Sequence, residues 1–491
     1  MPQVQRQSAV LHAAELPGPR GAGGLLDALT KEPSPAVLES SALHSEFGRY
    51  SLFACRPLRV LEVRDGALSD ETGEILAQGR GLWRALDDIL MGISLAQPSP
   101  AVPYVPGWIG YIGYEMGRTI ERLPARAPRD VPLPDLHLAL YDALLIYDAV
   151  ETRWTLVELR FDDPPAGAGL GAEALRSCLS RAEGCTDPAP APTEHADARH
   201  RDLAVQARSD FQPDEYRRAV ARCVEYIAAG DIFQVNLSQR FVLPDAPQPA
   251  ALYRHLRRRN PAWYAAYLHF ASQGREFAIL SSSPELFLRC RAGRVTTRPI
   301  KGTRPRVGQV DHDAAAAAEL LGSEKDNAEL AMIIDLLRND LGRVCRYGTV
   351  RVAEPCRLET HPTVFHLVGT VTGRLCEGVG PAGLLRATFP GGSITGAPKI
   401  RAMEIIDELE PVARGVYTGC IGIVGVNGEA EWNIAIRTIL HHAGKVYLQV
   451  GGGIVADSTP DGEYRETLDK ARAMLEALAE ASVGMLPAEP S

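Results

Sequence analysis

Apolar residues recur at helical spacing in three long segments beyond residue 210. In the first segment, residues 211–230, the apolar positions are Tyr216, Val220, Cys223, Val224 and Ile227. The second, residues 313–341, is predicted to break near Gly322-Ser323. The third, residues 460–480, has Thr459 at its N-cap position. The pattern therefore predicts three amphipathic helices, the last of which closes the chain.

Other stretches alternate or form short apolar runs that are typical of β-strands. The predicted strands are residues 138–147, 232–241, 277–290, 294–299, 420–426, 432–440 and 446–455. Turn residues such as Asn427-Gly428 separate neighbouring strands, which favours antiparallel pairing. Because strand and helix do not alternate regularly, we expect an α+β fold in which large antiparallel β-sheets are covered by helices.

A change in composition divides the chain. Residues 183–210 are rich in Ala, Pro, Asp, Arg and His and lack hydrophobic periodicity, which is typical of a linker or a long surface loop. We therefore expect an N-terminal region over residues 1–182, a motif-bearing domain over residues 211–480, and a C-terminal tail over residues 481–491.

Composition and charge narrow the class of protein. With 45% hydrophobic and 23% charged residues, the 491-residue chain has an ordinary globular composition. A net charge of −9 disfavours nucleic acid or an anionic membrane as the main partner. The nine cysteines stand singly, and neither a signal peptide nor a run of about eighteen apolar residues is apparent. These features favour a cytoplasmic enzyme.

Two of the predicted helices carry carboxylates that lean toward their apolar faces. Asp326 and Glu329 lie three residues apart on one helix, and the closing helix carries Glu463, Glu466 and Lys470 within one arc. If both helices face one cleft, their oxygens suit Mg²⁺, completed by water and a substrate carboxylate. The alternative is that these acids form i,i+3 or i,i+4 surface pairs, as Glu on helices usually does.

Several further features indicate a site for an anionic ligand. A glycine-rich loop within residues 389–399 leads into a predicted helix, whose free N–H groups suit a carboxylate or phosphate. Gly451-Gly452-Gly453 allows backbone to approach a ligand closely, or else marks a strand bulge. Arg437 is expected in a strand, buried, and able to bind a carboxylate. His366 lies in an apolar stretch, where a core histidine bonded to backbone is the commoner outcome.

Lys301 is the most informative residue, because it stands between Pro299-Ile300 and Gly302-Thr303 rather than among polar neighbours. An amine near apolar groups has its charged form disfavoured, which frees its lone pair for nucleophilic attack. The alternative is an ordinary lysine on a turn that leaves a β-strand.

Taken together, the motifs resemble one family, the chorismate-utilising enzymes. The matching segments are residues 230–238 (GDIFQVNLS), 283–285 (SPE), 298–306 (RPIKGTRPR), 335–340 (DLLRND), 389–399 (FPGGSITGAPK) and 451–457 (GGGIVAD). The similarity covers about residues 211–480 and implies a single composite core of the type found in anthranilate synthase component I.

The resemblance also implies roles for individual residues around a bound chorismate. The expected Mg²⁺ ligands are Glu329 and Glu466, with Asp326 and Glu463 close by or bridged through water. The expected substrate-orienting groups are Tyr417, Arg437, Lys470 and the Gly453 amide. The expected catalytic residues are Lys301, His366, Glu329 and Ser393, with Ser393 near the C4 hydroxyl and His366 beside the ring.

Two positions separate the reactions within the family. Isochorismate and salicylate synthases carry a lysine base where this chain has Gln234, and glutamine cannot activate water in that way. Anthranilate-forming members typically have alanine where Lys301 stands, whereas members that form 4-amino-4-deoxychorismate carry the lysine. The resemblance therefore implies amination at C4 on the route to para-aminobenzoate and folate. Anthranilate formation is one alternative, and a non-catalytic amidotransferase-binding subunit is another.

The ammonia is expected to come from a partner. No Gly-x-Cys-x-Gly nucleophile elbow occurs in the chain, and the resemblance implies a separate glutamine amidotransferase subunit in a heterodimer. It also implies a tryptophan pocket in the N-terminal region, where residues 38–40 and 49–51 resemble one wall and Ser40 is the candidate contact. Residues 260–264 (NPAWY) depart there from the family's Asn-Pro-Ser-Pro-Tyr.

Overall fold

The structure is a computed structural model that describes residues 7–96, 101–182, 207–361 and 364–483. Its helices are α1 (Leu25–Leu29), α2 (Leu82–Leu90), α3 (Leu170–Ala182), α4 (Pro213–Ala228), α5 (Pro249–Arg259), α6 (Val310–Gly322), α7 (Glu324–Gly342), α8 (Pro381–Thr388), α9 (Lys399–Leu409) and α10 (Pro460–Val483). Its strands are β1 (Gln7–Leu16), β2 (Ala36–Glu39), β3 (Tyr50–Ala54), β4 (Arg59–Arg64), β5 (Ala67–Asp70), β6 (Ile75–Gln78), β7 (Ile93–Leu95), β8 (Gly107–Ile112), β9 (Leu136–Tyr141), β10 (Ala143–Asp148), β11 (Arg153–Phe161), β12 (Arg208–Ser209), β13 (Gln234–Leu243), β14 (Tyr264–Ser272), β15 (Arg275–Ser283), β16 (Leu286–Arg291), β17 (Arg294–Arg298), β18 (Ile300–Pro305), β19 (Arg351–Thr360), β20 (Val364–Arg374), β21 (Gly396–Ala397), β22 (Cys420–Gly425), β23 (Ala430–Asn433), β24 (Thr438–His442) and β25 (Lys445–Ile454).

Two large sheets, antiparallel except where β1 meets β7, organise the chain. The first runs β12-β13-β25-β24-β15-β14-β2-β3-β10-β11-β1-β7, with β21 paired to β13. The second runs β18-β20-β17-β16-β23-β22-β8-β9-β4-β5-β6, with β19 paired to β20. Each sheet combines strands from the N-terminal region and from the motif-bearing region. The predicted α+β fold with one composite core is therefore confirmed.

Apolar side chains fill the space between the sheets and cover their outer faces. Ile109 and Ile423 of the second sheet pack in one cluster with Leu144 and Ile279 of the first. Helices α3, α5 and α10 bury apolar residues against the outside of the first sheet, and α2, α7 and α8 do so at the second. None of the helices in the described ranges combines the length and apolarity needed to span a bilayer.

The predicted helices are recovered closely, including the break between α6 and α7. Ser323 occupies that break, where its side chain accepts a hydrogen bond from the Asp326 N–H at 3.2 Å and caps α7. Thr459 likewise accepts a hydrogen bond from the Gly462 N–H at the start of α10. Helical periodicity was sufficient here because each helix buries one continuous stripe.

Three predicted strands were wrong in extent. The stretch 138–147 is two strands, β9 and β10, because the chain passes at Asp142 from the second sheet to the first. The stretch 277–290 is two strands, β15 and β16, because Pro284 has no N–H to donate to the ladder. The stretch 432–440 is also two strands, β23 and β24, because Arg437 adopts a left-handed conformation with φ of 49°. Arg437 therefore lies between strands, not within one.

The predicted linker and tail lie largely outside the described residues, which omit residues 183–206 and 484–491. Arg208–Ser209, at the end of the predicted linker, forms β12 and pairs with Val242 and Phe241 of β13. Residues 208 and 209, which the predicted linker included, therefore belong to the first sheet. Helix α10 continues to Val483, beyond the predicted start of the tail at residue 481. The division into residues 1–182 and 211–480 stays a prediction.

A buried ion pair joins the helices that surround the glycine-rich loop. Lys399, at the start of α9, donates to Asp340 Oδ2 of α7 at 2.7 Å and to the Thr388 carbonyl of α8 at 2.9 Å. The Asp340 side chain is 4% exposed. Burial raises the pKa of Asp340 and lowers that of Lys399, so each charge depends on the other.

We expect Asp340→Asn to lower the free energy of unfolding by about 3 kcal/mol, because it leaves the Lys399 ammonium buried without a counter-charge. Urea unfolding followed by circular dichroism measures the change. The matched control is Asp335→Asn on the same helix, whose pair with Arg338 is exposed and is expected to contribute no more than about 0.5 kcal/mol. Equal effects of the two substitutions would contradict the conclusion that the buried pair of Asp340 and Lys399 stabilises the fold.

Candidate active site

Lys301 lies on β18, at one edge of the second sheet, opposite Leu367 of β20. A register shift between Lys301 and Thr303 leaves Gly302 out of the ladder with φ of 68°. A Cβ at Gly302 would lie 2.9 Å from the Asp326 carboxyl carbon. Glycine at this bulge therefore lets α7 approach the strand, and α7 brings its acids beside the lysine.

The Lys301 amine is enclosed in a cleft of opposing charges. Its side chain is 11% exposed, and Nζ lies 3.7 Å from Glu329 Oε2. Burial lowers the pKa of Lys301, the carboxylate of Glu329 opposes this, and the nearby Lys470 ammonium lowers the pKa further. The amine is therefore more readily deprotonated than an ordinary surface lysine, as a nucleophile requires.

The closing helix α10 contributes two acids to the same cleft, across the glycine run of β25. A Cβ at Gly452 would lie 2.8 Å from Glu463 Oε2 and 3.5 Å from Glu466 Oε1. Lys470 lies 2.7 Å from Glu466 and lowers its pKa, whereas burial raises the pKa of Glu463. Glycine at this position lets the Glu463 carboxylate lie against the strand, with the Glu466 carboxylate in contact distance beside it.

We tested whether these acids fit a metal ion. Among the described residues, no group of three or more His, Cys, Asp or Glu side chains is close enough to hold a metal by itself. Mg²⁺ needs fewer protein ligands than this, since one or two carboxylates suffice when water and substrate oxygens complete its octahedral coordination. Glu463 Oε2 is buried without a hydrogen-bond partner, and Glu466 stands beside it. This donor set fits Mg²⁺, whereas Asp326 is engaged by Arg304 at 3.2 Å.

Ser393, in the glycine-rich loop, donates a hydrogen bond of 2.6 Å to Glu285 Oε1. Glu285 is 4% exposed, and burial raises its pKa to about 7, with the Lys301 charge acting in the opposite direction. A carboxyl that is half protonated near neutral pH can give or take a proton through the Ser393 hydroxyl. Sequence reasoning missed Glu285 as a site residue, although a carboxylate directly after the strand-breaking Pro284 was a signal.

His366 lies on β20 opposite Thr303. Its Nδ1 lies 2.9 Å from the Thr303 hydroxyl, while its Nε2 is buried without a hydrogen-bond partner. Burial, followed by the Arg437 charge, holds the pKa of His366 well below its usual range, so the ring is neutral. A neutral imidazole with one unpartnered nitrogen is available to a substrate atom.

The Arg437 side chain is also buried, and it has no carboxylate partner among the described residues. Its guanidinium donates to Asn260 Oδ1 at 3.3 Å. Burial lowers its pKa. An unpaired, desolvated guanidinium is stabilised by a ligand carboxylate, which it can bind bidentately.

Gly453 brings two further groups next to the lysine. A Cβ at this position would lie 2.4 Å from Gln234 Nε2 and 3.3 Å from Lys301 Nζ. Lys470 donates to the Gly451 carbonyl at 2.8 Å and is thereby fixed beside the same strand. Glycine at position 453 thus lets the Gln234 amide and the Lys301 amine both lie against the strand.

Tyr417 and the glycine-rich loop are organised by an ion pair that the sequence did not reveal. Arg414 lies 2.6 Å from Glu410, with side chains 1% and 2% exposed. The guanidinium also donates to the carbonyls of Asn236 at 2.7 Å and Ile394 at 3.1 Å. The Tyr417 ring lies 5.7 Å from the guanidinium. Arg414 therefore connects β13, the Ser393 loop and Tyr417.

A separate cleft, with an empty volume of about 480 Å³, lies between the N-terminal region and residues 263–265 and 421–433 of the motif-bearing region. Ser40 lines it, and its hydroxyl donates to the Trp263 carbonyl at 2.8 Å. The Trp263 indole lies 4.6 Å from His44 and 5.9 Å from Phe47, as ring-centroid distances. The residue that departs from the family pattern thus adds an aromatic wall to this cleft. The assignment of Ser40 to a tryptophan site stays a prediction.

Comparison with known proteins gives similarities along nearly the whole chain. The profile of a family described as chorismate binding enzyme matches residues 64–476. Aminodeoxychorismate synthase component 1 of Klebsiella aerogenes is 38% identical, over 92% of this chain and 95% of the relative. Anthranilate synthase component 1 of Thermus thermophilus is 40% identical, over 93% and 94%. The crystal structure of anthranilate synthase component I from Streptococcus pneumoniae has a TM-score of 0.72 at 30% identity, covering 88% of this chain and 93% of that chain.

The raised pKa of Glu285 predicts a pH dependence of stability. Between pH 4.5 and about 7 the folded protein retains a proton on Glu285 that the unfolded chain releases, so the free energy of unfolding falls as pH rises. We expect Glu285→Gln to remove up to roughly 3 kcal/mol of this fall, measured by urea unfolding across the pH range. In the variant, the free energy of unfolding should still fall slightly with pH, because burial also raises the pKa of Glu115 to about 7.

The control for this measurement is Glu225→Gln, at an exposed side chain of α4. It is expected to leave the pH profile of the wild type unchanged, because the Glu225 side chain is exposed to water in the folded protein as in the unfolded chain. A Glu285→Gln profile as steep as that of the wild type would show that this carboxyl is ionised in the folded protein.

Proposed function

The chain belongs to the chorismate-binding enzymes, and we propose that it converts chorismate and ammonia into 4-amino-4-deoxychorismate. The observation that carries the proposal is the Lys301 amine, which is buried beside Glu329 in a cleft where desolvation lowers its pKa and so favours its uncharged form. Gln234 supports amination over hydration, because an amide cannot act as the base that activates water.

In the proposed reaction Lys301 acts as a covalent nucleophile. Its amine forms a bond to C2 of the ring, the two conjugated ring double bonds both shift toward C4, and the C4 hydroxyl departs as water after gaining a proton. Ammonia then bonds to C4, both double bonds shift back, the C2–N bond to Lys301 breaks, and the proton that the new amine loses balances the one given to the leaving hydroxyl. The sum is chorismate plus ammonia giving 4-amino-4-deoxychorismate plus water, with the enolpyruvyl group retained.

Glu285 and Ser393 are suited to supply the proton that the leaving hydroxyl needs. With a pKa of about 7, Glu285 is partly protonated at neutral pH, and its hydrogen bond to Ser393 places a hydroxyl between the acid and the cleft. His366 is neutral and offers its unpartnered Nε2 to the ring side of the substrate. In the proposed reaction these residues transfer protons or form hydrogen bonds to the substrate, whereas Lys301 forms the covalent bond.

The two substrate carboxylates need positive groups. Arg437 is the best candidate because its buried guanidinium has no carboxylate partner among the described residues. Lys470 of α10 and the Gly453 amide of β25 lie beside Lys301. Tyr417 completes the proposed set. Mg²⁺, when bound, would be held by Glu329 and Glu466 with Glu463 beside them, and it would neutralise and anchor a substrate carboxylate.

Anthranilate formation is the second candidate. It is favoured by the 40% identity to the anthranilate synthase component 1 of Thermus thermophilus, similar to the 38% identity to an aminodeoxychorismate synthase. The two reactions use the same substrate and differ in the carbon that is aminated and in the loss of pyruvate. Anthranilate fluorescence together with pyruvate release from chorismate and ammonium would establish this second candidate instead.

The proposal includes a glutamine amidotransferase as the source of ammonia, in a cytoplasmic heterodimer with this chain. The chain itself lacks the cysteine nucleophile elbow that such a subunit uses. Turnover of chorismate by the purified chain with Mg²⁺ and ammonium alone would exclude the other reading, in which the chain is a non-catalytic binding subunit.

We expect Lys301→Ala to lower kcat with ammonium by at least about 100-fold, the usual order for loss of a reacting group, with chorismate affinity changed by less than about threefold. Without ammonia, the wild type should gain the mass of chorismate less water in intact-protein mass spectrometry, and the variant should not. The control Lys325→Ala removes an exposed lysine that lies 4.0 Å from Glu329. Unchanged turnover of Lys301→Ala, with no adduct on the wild type, would contradict covalent catalysis.

We expect Glu466→Ala to abolish measurable turnover and to weaken Mg²⁺ binding by at least about tenfold, since it removes a proposed carboxylate ligand. Isothermal calorimetry with MgCl₂ and chorismate measures the affinity. Asp469→Ala, on the exposed side of α10, serves as the control and should bind Mg²⁺ as the wild type does. An unaltered Mg²⁺ affinity in Glu466→Ala would remove Glu466 from the metal site.

A further inference from the structure

The bulge in β18 that brings α7 beside Lys301 also determines the surroundings of His366. The register shift at Gly302 places Thr303 opposite His366 of β20. Gly302 has φ of 68°, and its carbonyl oxygen lies 3.4 Å from His366 Nδ1. The hydroxyl of the next residue, Thr303, lies 2.9 Å from the same nitrogen. Two oxygens of the bulge therefore face one nitrogen of the imidazole ring.

These two oxygens decide which nitrogen of His366 carries the proton. The ring is neutral, because burial and then the Arg437 charge hold the pKa of His366 well below its usual range, and a neutral imidazole has a single N–H. A carbonyl oxygen has no hydrogen and can only accept a hydrogen bond. A lone pair on Nδ1 would be repelled by the Gly302 carbonyl, whereas an N–H is attracted by both oxygens. The proton is therefore on Nδ1, and Nε2 carries the lone pair.

The Nε2 atom of His366 is thus a hydrogen-bond acceptor that the protein leaves unused. His366 is 2% exposed, and no group in the described part of the chain donates to Nε2. The neighbouring His361 ring lies edge to face with the His366 ring, at a centroid distance of 5.1 Å. A buried acceptor without a partner is destabilising, so a ligand that donates a hydrogen bond to Nε2 removes that cost on binding.

The reactants of the proposed reaction have few groups that can donate to this acceptor. Near neutral pH both carboxylates of chorismate are ionised, and its ether oxygen carries no hydrogen, so all of these can only accept. The C4 hydroxyl is the donor of the substrate, and ammonia has its N–H groups. The hydroxyl leaves from C4 and ammonia binds to C4. The unused acceptor therefore matches both groups that occupy this carbon in turn.

We propose that Thr303 is a positioning residue, which together with the Gly302 carbonyl holds the Nδ1 proton of His366, so that Nε2 accepts a hydrogen bond from the group at C4. Nε2 first accepts from the leaving hydroxyl, whose oxygen then has its lone pairs free for the proton that it gains. Nε2 next accepts from an N–H of ammonia, whose lone pair is free to bond to C4. His366 keeps the same proton and forms no covalent bond.

The inference rests on the proposed function for the identity of the two donors, whereas the tautomer rests on the contacts of His366 alone. The two parts can therefore fail separately. Thr303 is also suited to substitution, because its side chain is exposed and its replacement leaves no cavity in the core.

The tautomer is measured on the whole chain without substrate. Proton–nitrogen correlation spectra of protein with isotope-labelled histidine distinguish a protonated from an unprotonated ring nitrogen. The His366 signals are those that disappear in His366→Gln. We expect the proton on Nδ1 in the wild type and a mixture of the two tautomers in Thr303→Val, which keeps the side-chain shape and removes the hydroxyl. A wild-type His366 with its proton on Nε2 would overturn the inference.

The role of Thr303 is measured by kinetics with ammonium. We expect Thr303→Val to lower kcat about tenfold, as for the loss of one hydrogen bond, and to change the KM for chorismate by less than about threefold. Adduct formation on Lys301 without ammonia should slow by a similar factor. Thr303→Ser, which restores the hydroxyl, should return both rates to within about threefold of the wild type. The control Thr372→Val removes a hydroxyl further along β20, opposite Thr296, and should react as the wild type does.

Wild-type rates in Thr303→Val would overturn the positioning role, and so would a loss that Thr303→Ser does not restore. A slower turnover with an unchanged rate of adduct formation would overturn the part that concerns the leaving hydroxyl. If the mass of the product is that of anthranilate, the proposed function fails, while the spectra still decide the tautomer of His366.

Discussion

The buried ion pair between Arg414 and Glu410 is the interaction on which the geometry of the cleft depends. One guanidinium satisfies two backbone carbonyls, from Asn236 and Ile394, that belong to different parts of the fold. The Glu410 carboxylate in turn accepts from the Ser238 backbone and hydroxyl. Since these groups are desolvated, each bond that is lost would leave an unsatisfied polar atom in the core. The pair therefore fixes β13 relative to the Ser393 loop.

Desolvation also explains how one cleft holds several charges of both signs. It lowers the pKa of Lys301 and raises that of Glu285 to about 7, so burial favours the uncharged form of both groups. Glu466 remains ionised because Lys470 lies against it. The result is a site in which some acids serve as fixed charges and another carries an exchangeable proton, although all are the same kind of residue.

The sequence was sufficient for the fold class, for the helices and for most residues of the cleft. Amphipathic periodicity located α4, α7 and α10, and the acids on α7 and α10 do meet around Lys301. Periodicity failed where a single residue ends a strand, at Pro284 and at the left-handed Arg437. It also could not reveal partnerships across the chain, such as the bond between Ser393 and Glu285, 108 positions apart. The Arg414 network was missed for the same reason, since its partners come from three segments.

The order of strands has a consequence for how the protein is made. Strand β2 pairs with β14, and β8 pairs with β22, so each sheet is completed by strands that lie hundreds of residues later in the chain. During synthesis the N-terminal strands therefore leave the ribosome with unpaired edges, which stay unpaired until the later strands are made. Such long sequence separations slow folding, and unpaired edges invite association between chains. Newly made chains therefore expose these unpaired strand edges until β22 emerges.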